Sequence, residues 1–135
     1  MNHTLVVRSL GFLLLLEAAA MTIPFGVSLA YGEDEFRALA VAALLTGATG
    51  LAMYLGGGTS AEGFGYREGL AVAALGWVLV ASFGALPFYL GGMFDSYVDA
   101  LFESTSGFTT TGATVLIDIE AQSRGLLFWR SFAHW

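Results

Sequence analysis

Apolar residues fall along this chain in long runs, and the breaks between the runs are short. The first run extends from about Leu5 to Ala30, the second from about Phe36 to Leu55 and the third from about Leu70 to Leu90. Each supplies the roughly 20 predominantly apolar residues that a helix needs to cross the hydrocarbon core of a bilayer. The first contains Glu17 and Pro24. Proline removes a backbone donor and crowds the carbonyl four residues earlier, here Ala20, so a kink is expected there. The second carries Gly47, Ala48 and Gly50, small residues that let helices approach closely in lipid. The third has Pro87 near its end.

Beyond the third run the pattern changes. From Asp95 to Thr114 the chain is apolar on one side but dotted with Asp99, Glu103, Ser104, Thr105 and Ser106, too polar and too short to cross lipid. A helix of about three turns fits 97–108, followed by a Thr/Gly-rich tract over 109–115. A further apolar helix starts near Gly125 and is under way at Trp135. The expected architecture is an all-α membrane protein. It has two leading transmembrane helices over 1–58, a glycine-rich linker over 59–68, and a third unit over 69–135 that joins a helix, a half-crossing loop and a partial helix.

Composition agrees with lipid as the solvent. Hydrophobic residues make up 56% of the 135 and charged residues 12%, with mean hydropathy +0.72. A soluble domain carries about 25% charged residues. The net charge of −6 excludes a nucleic-acid partner, which needs a basic stripe. Without cysteine, neither a disulfide frame nor a thiolate metal site can form. A cleavable signal peptide over the first 30 residues is the alternative to a retained helix. The apolar character, however, continues through Ala18, Met21, Ile23 and Val27, too far for a signal core. Arg8 and Arg67 against Arg37 place the N-terminus in the cytoplasm by the positive-inside bias. The segment Gly56 to Gly65 invites reading as a phosphate loop, but a membrane helix precedes it and no Gly-Lys-Ser/Thr follows, so it reads as a linker. No Ser/His/Asp set or acid/base pair points to an enzyme, and no cofactor is expected.

The informative segment is Phe108-Thr109-Thr110-Thr111-Gly112-Ala113-Thr114-Val115. Irregular backbone at membrane depth is tolerated only where protein buries it or where it lines a watery cavity. Carbonyls that face one axis can replace the water shell of a cation. Threonine adds a hydroxyl oxygen, and Gly112 permits backbone angles closed to other residues. The short helix before the tract points the negative end of its dipole at such a cation. A Thr/Gly-rich external loop is the other reading of the same residues.

Three stretches resemble the Trk/Ktr/HKT family of potassium transporters, and within it the Trk membrane subunits. They are Arg67-Glu68-Gly69 with Gly84-Ala85-Leu86-Pro87-Phe88, then Asp99 through Thr114, and finally Gly125 through Ser131 with His134-Trp135. The resemblance implies two leading helices followed by four repeats of helix, pore loop and helix around one permeation path. This chain would supply the leading pair and the first, incomplete repeat. It also implies filter carbonyls from Thr110, Thr111, Gly112 and Ala113, with Thr114 at the outer mouth and potassium at Thr110 and Thr111. The family's loose filter, with Ala113 where potassium channels carry an aromatic residue, implies less stringent selectivity. The implied partners are potassium as substrate, the lipid bilayer of the cell membrane, a second copy of the full-length subunit and a cytosolic nucleotide-binding regulatory subunit. As one pore loop of four, the chain alone is not expected to conduct. A nonconducting anchor or assembly subunit, or a gene relic, is the alternative from another class.

Other residues carry two readings each. A mid-span Glu17 must face protein or water, or be protonated; it serves either a buried hydrogen bond to a neighbouring helix or an ion relay. Asp95, Asp99 and Glu103 are candidates for a cation-concentrating external mouth, and the N-cap of the short helix is the other reading of Asp99. Glu103 is expected to hydrogen-bond backbone behind the filter. Asp118 and Glu120 add to an outer negative field or are simply solvated. Arg130 and His134 are expected as a cap or at lipid headgroups. His3 and His134 are too isolated for a metal site, and Trp77, Trp129 and Trp135 suit packing or interfacial anchoring.

Overall fold

The computed structural model describes residues 2–58 and 65–135. Residues 59–64 of the expected linker, and with them most of the rejected phosphate-loop motif, lie outside the described residues. Every regular element among the described residues is helical: α1 (His3–Ala30), α2 (Phe36–Gly56), α3 (Tyr66–Gly84), α4 (Leu86–Leu90), α5 (Tyr97–Phe108) and α6 (Arg124–Ala133). Three spans, His3–Ala30, Phe36–Gly56 and Tyr66–Leu90, are long and apolar enough to cross a membrane. At 1.5 Å per residue the 28 residues of α1 extend about 42 Å, more than the roughly 30 Å hydrocarbon core.

Local chemistry sets the helix ends. The Asn2 side chain accepts from the Leu5 amide and caps α1, which then continues as one helix through Pro24. Gly32, at φ +68°, takes the left-handed turn that reverses the chain into α2. The two helices then pack along their length, and the seam is closest where two glycines meet. A Cβ on Gly11 would stand 2.5 Å from the Tyr54 amide nitrogen and 2.6 Å from the Gly50 carbonyl oxygen. One on Gly50 would stand 2.9 Å from the Gly11 carbonyl oxygen. These are backbone atoms, so a side chain must push the helices apart. In lipid, where dispersion packing holds helices together, that separation forfeits the contact. Gly11→Leu is therefore expected to destabilise the detergent-solubilised chain by about 1–3 kcal/mol, the usual cost of overpacking. Thermal unfolding followed by circular dichroism checks it; an unchanged midpoint would rule out the tight seam. Past the glycines, Arg8 spans the same pair, donating to the Tyr54 hydroxyl at 3.0 Å with its guanidinium 4.3 Å above the ring.

The third run differs from the single helix its hydropathy suggests. It starts at Tyr66, and Ala85 interrupts it before the short α4. Pro87 sits in the first turn of α4, where its missing N–H is no loss. The Gly84 carbonyl at the break accepts from the Trp129 indole at 2.9 Å instead of from its own helix. Trp129 is thereby committed to packing and to this bond, with 1% of its surface exposed. It belongs to a core with Met21, Leu39, Ala42, Phe88, Ala100 and Leu126, where the middle of the α1–α2 pair meets α4, α5 and α6. This core holds α5 and the tract after it in place.

Candidate functional site

The geometry of the Thr/Gly tract begins with how α5 starts and stops. Its N-cap is Ser96, whose side chain accepts from the Val98 amide; Asp99 lies in the first turn and does not cap it. Serine precedes the aspartate at the position where the chain is still extended, so it meets the free amides first. At the other end the chain closes with a pair of reversed hydrogen bonds. Thr111 N–H donates to the Ser106 carbonyl at 2.9 Å and Thr110 N–H to the Gly107 carbonyl at 2.8 Å. This is a Schellman closure, which needs a left-handed residue at the position Thr110 occupies. Thr110 has φ +57°, alone among the described non-glycine residues in taking a positive φ. A β-branched residue there stores strain, the kind found at functional sites. Gly112 follows at φ +75°. Left-handed residues two apart turn the intervening peptides, and no Cβ at Gly112 would touch anything within 4 Å.

The tract is exposed from Thr109 to Val115, yet it is tied down from behind. Ser106 Oγ donates to the Ala113 carbonyl at 2.6 Å. Glu103, 1% exposed, receives the Thr114 hydroxyl at 2.9 Å and the Val115 amide at 3.4 Å on Oε2. Its other oxygen takes the Arg130 Nε at 2.5 Å. The carboxylate thus joins α5, the tract and α6 through one residue. Charge-assisted bonds of this kind are roughly twice as strong as neutral ones. Arg130 is neither a helix cap nor a headgroup ligand: it turns inward because a buried carboxylate needs a counter-charge. His134, by contrast, is the C-cap of α6, its Nδ1 lying 2.7 Å from the Arg130 carbonyl oxygen in the last turn. The Ala113 carbonyl already serves Ser106, whereas among the described residues no hydrogen-bond donor reaches those of Thr110, Thr111 and Gly112.

Outside the tract, Asp95, Asp99 and Asp118 line one cavity of about 330 Å³ with Val115, Leu116 and Gln122. Asp118 also accepts from the Ala121 amide at 3.2 Å and so stabilises its own turn. Glu120 is exposed and lies outside that lining. The acidic loop after α1 has a use the sequence pattern did not suggest. Glu33 accepts from the Arg124 and Gly125 amides at 2.7 and 3.0 Å and covers the start of α6. Carboxylates suit that end of a helix, but a contact 91 residues away in sequence leaves no periodic signal. Glu17 is buried, and among the described residues neither of its oxygens finds the expected hydrogen bond to a neighbouring helix.

Comparison with known proteins gives this geometry a context. No family-wide sequence model matches the chain. It is 37% identical over 136 aligned positions to the Trk system potassium uptake protein TrkH of Halomonas elongata, and 32% identical to that of Escherichia coli K12. Both alignments cover 100% of this chain and 28% of the relative. An uncharacterized cation transporter of Methanocaldococcus jannaschii is 32% identical over 96% of this chain and 27% of its own length. The chain therefore spans a little over a quarter of the length of the curated relatives it matches. The crystal structure of the potassium transporter TrkH from Vibrio parahaemolyticus superposes with a TM-score of 0.92 at 29% identity, over 98% of this chain and 29% of that one. Three membrane-length apolar helices and these relatives make it a multi-pass membrane protein. In sequence and in backbone alike, the chain is a TrkH-like member of the Trk family.

Proposed function

We propose that this chain contributes one pore loop to a potassium permeation path whose selectivity filter is assembled from four such loops. In this reading 1–58 are the leading helices, 69–135 begin the first pore repeat, α5 is its pore helix and 109–115 its filter strand. Thr110, Thr111 and Gly112 offer carbonyls to a dehydrated potassium ion, with Ala113 and Thr114 toward the outer mouth. Potassium is the substrate, and no cofactor takes part. Asp95, Asp99 and Asp118 concentrate cations at the cavity they line, and Glu103 braces the strand from behind. Family resemblance adds a second full-length copy and a cytosolic nucleotide-binding subunit as partners.

The observation that carries the reading is the left-handed backbone at Thr110 and Gly112 in an exposed tract directly after a helix C-terminus. An external loop has no use for a strained threonine whose neighbours are anchored to a buried carboxylate. A filter does, because carbonyls held in advance replace water without reorganising.

The test is a chimaera in which residues 1–135 replace the matched segment of the Halomonas elongata relative, expressed in cells that depend on potassium uptake. Uptake is expected from the chimaera and its loss from a chimaera carrying Thr110→Pro, whose ring is fixed at negative φ. Equal uptake from both would overturn the filter assignment and leave an anchoring or assembly role. The purified 135-residue chain in liposomes is expected to pass no potassium; selective flux from it would contradict the four-loop reading.

A further inference from the structure

Glu33 completes a helix to which it does not belong. The first amides of any helix find no partner within it, and in α6 they are met from two sides. The Leu127 amide reaches the Ser123 carbonyl, and Ser123 Oγ accepts from the Leu126 amide. Those of Arg124 and Gly125 remain, and Glu33 accepts one on each carboxylate oxygen, at 2.7 and 3.0 Å. The first turn of α6 therefore depends on the turn between α1 and α2.

Both sides of this contact are built for it. Gly32, at φ +68°, turns the chain after α1, and the Glu33 amide donates back to the Ser28 carbonyl at 3.1 Å. The carboxylate thus leaves a fixed backbone. Glu33 is partly buried, while its neighbour Asp34 is exposed. The start of α6 lies against the end of α1 with no side chain between them. A Cβ on Gly125 would stand 2.6 Å from Ser28 Cβ and 3.2 Å from the Pro24 carbonyl oxygen. The Arg124 guanidinium, 4.3 Å above the Tyr31 ring, closes the same corner.

What this corner holds reaches the tract. Arg130 lies about 9 Å along α6 from Arg124, at 1.5 Å per residue. A single helix of 10 residues carries the placement of its first turn to that guanidinium. Arg130 pairs with Glu103, and Glu103 accepts from Thr114 and Val115.

We propose that Glu33 is a positioning residue for the tract: its carboxylate latches the α1–α2 turn to α6, and α6 carries that placement through Arg130 and Glu103 to Thr114 and Val115. The leading helix pair then sets the geometry of the tract as well as packing beside it. The consequence for potassium rests on the pore reading above; the latch itself does not.

Amide hydrogen exchange of the purified chain in detergent tests the latch. Glu33→Ala is expected to speed exchange about tenfold at Gly125, the worth of one hydrogen bond to a charged group, and several-fold at Val115. Glu33→Gln offers one carbonyl oxygen in place of two carboxylate oxygens and should fall between. Arg124→Pro removes one of the two latched amides at the first helical position, where proline is tolerated. Ser123 before it already has the extended backbone that proline requires, at φ −64° and ψ 146°. Arg124→Pro should therefore speed Val115 too, whereas Arg124→Ala, which loses only the stack on Tyr31, should not. A cap without a positioning role would change Gly125 alone. That result, or equal Val115 exchange in Arg124→Pro and Arg124→Ala, overturns the proposal. If Glu33→Ala unfolds, seen as faster exchange at Gly50 in the α1–α2 seam, Arg124→Pro decides. In the chimaera with the Halomonas elongata relative, Glu33→Ala should raise the KM for potassium uptake more than it lowers the maximal rate. Faster exchange at Val115 with an unchanged KM would uphold the latch and count against the tract as the ion's path.

Discussion

Glu103→Ala is expected to cost the detergent-solubilised chain about 3–5 kcal/mol of stability, as removal of one partner from a buried ion pair usually does. Three groups lose their acceptor at once: the Arg130 guanidinium, the Thr114 hydroxyl and the Val115 amide. The Glu103 side chain is 0% exposed and that of Arg130 19%, so water restores only the outer part of the loss. Glu103→Gln keeps an acceptor for Thr114 but gives up the charge, and should fall between wild type and alanine. The double variant Glu103→Leu with Arg130→Met separates the two contributions. Replacing a buried pair by apolar residues of similar size is close to neutral, so its unfolding midpoint should recover most of the loss. Amide exchange at Val115 should stay fast, because its N–H has then lost the Glu103 acceptor. If Glu103→Ala unfolds like wild type, or if the double variant restores slow exchange at Val115, Glu103 does not brace the tract.

This arrangement marks what a sequence can and cannot disclose. The three long helices are legible because a bilayer demands length and apolarity, and both are properties of a single run of residues. The interruption at Ala85 is less so. Pro87 is visible, but the break lies upstream of it, where the Gly84 carbonyl is taken by Trp129 from another helix. Partnerships across the fold are the least legible. Glu103 and Arg130 are 27 residues apart, and Glu33 reaches an amide 91 residues on; no helical period links either pair. Of the candidate site, the residue types and their order are readable, and the pairings are not. Thr110 is a particular case. Its left-handed backbone follows from the closure of α5, a position where glycine is the usual signal, and here the glycine comes two residues later at 112. Its β-branched threonines favour extended backbone, whereas the first turn of the tract belongs to the end of the helix.

Gly112→Val isolates the backbone from everything else in the tract. No atom lies within 4 Å of where its Cβ would stand, so the substitution creates no clash. What it changes is φ: +75° is open to glycine and costs an L-residue roughly 1–2 kcal/mol, more when it is β-branched. The fold has little at stake, because the helices, the core and the Glu103 anchor lie elsewhere. The unfolding midpoint of the chain should therefore move by only a few degrees, the scale set by about 1 kcal/mol. Transport should respond far more. If the left-handed turn orients the carbonyls of Thr111 and Gly112, then each 1.4 kcal/mol against it removes the productive arrangement tenfold. In the chimaera with the Halomonas elongata relative, Gly112→Val is expected to reduce potassium uptake at least about tenfold, by that arithmetic. Gly112→Asn, which tolerates the left-handed region, should retain a substantial part of it. Equal losses for asparagine and valine would mean that side-chain bulk in the path, and not backbone direction, limits the ion. Full uptake with valine would remove Gly112 from the filter and with it the reason for reading the tract as one.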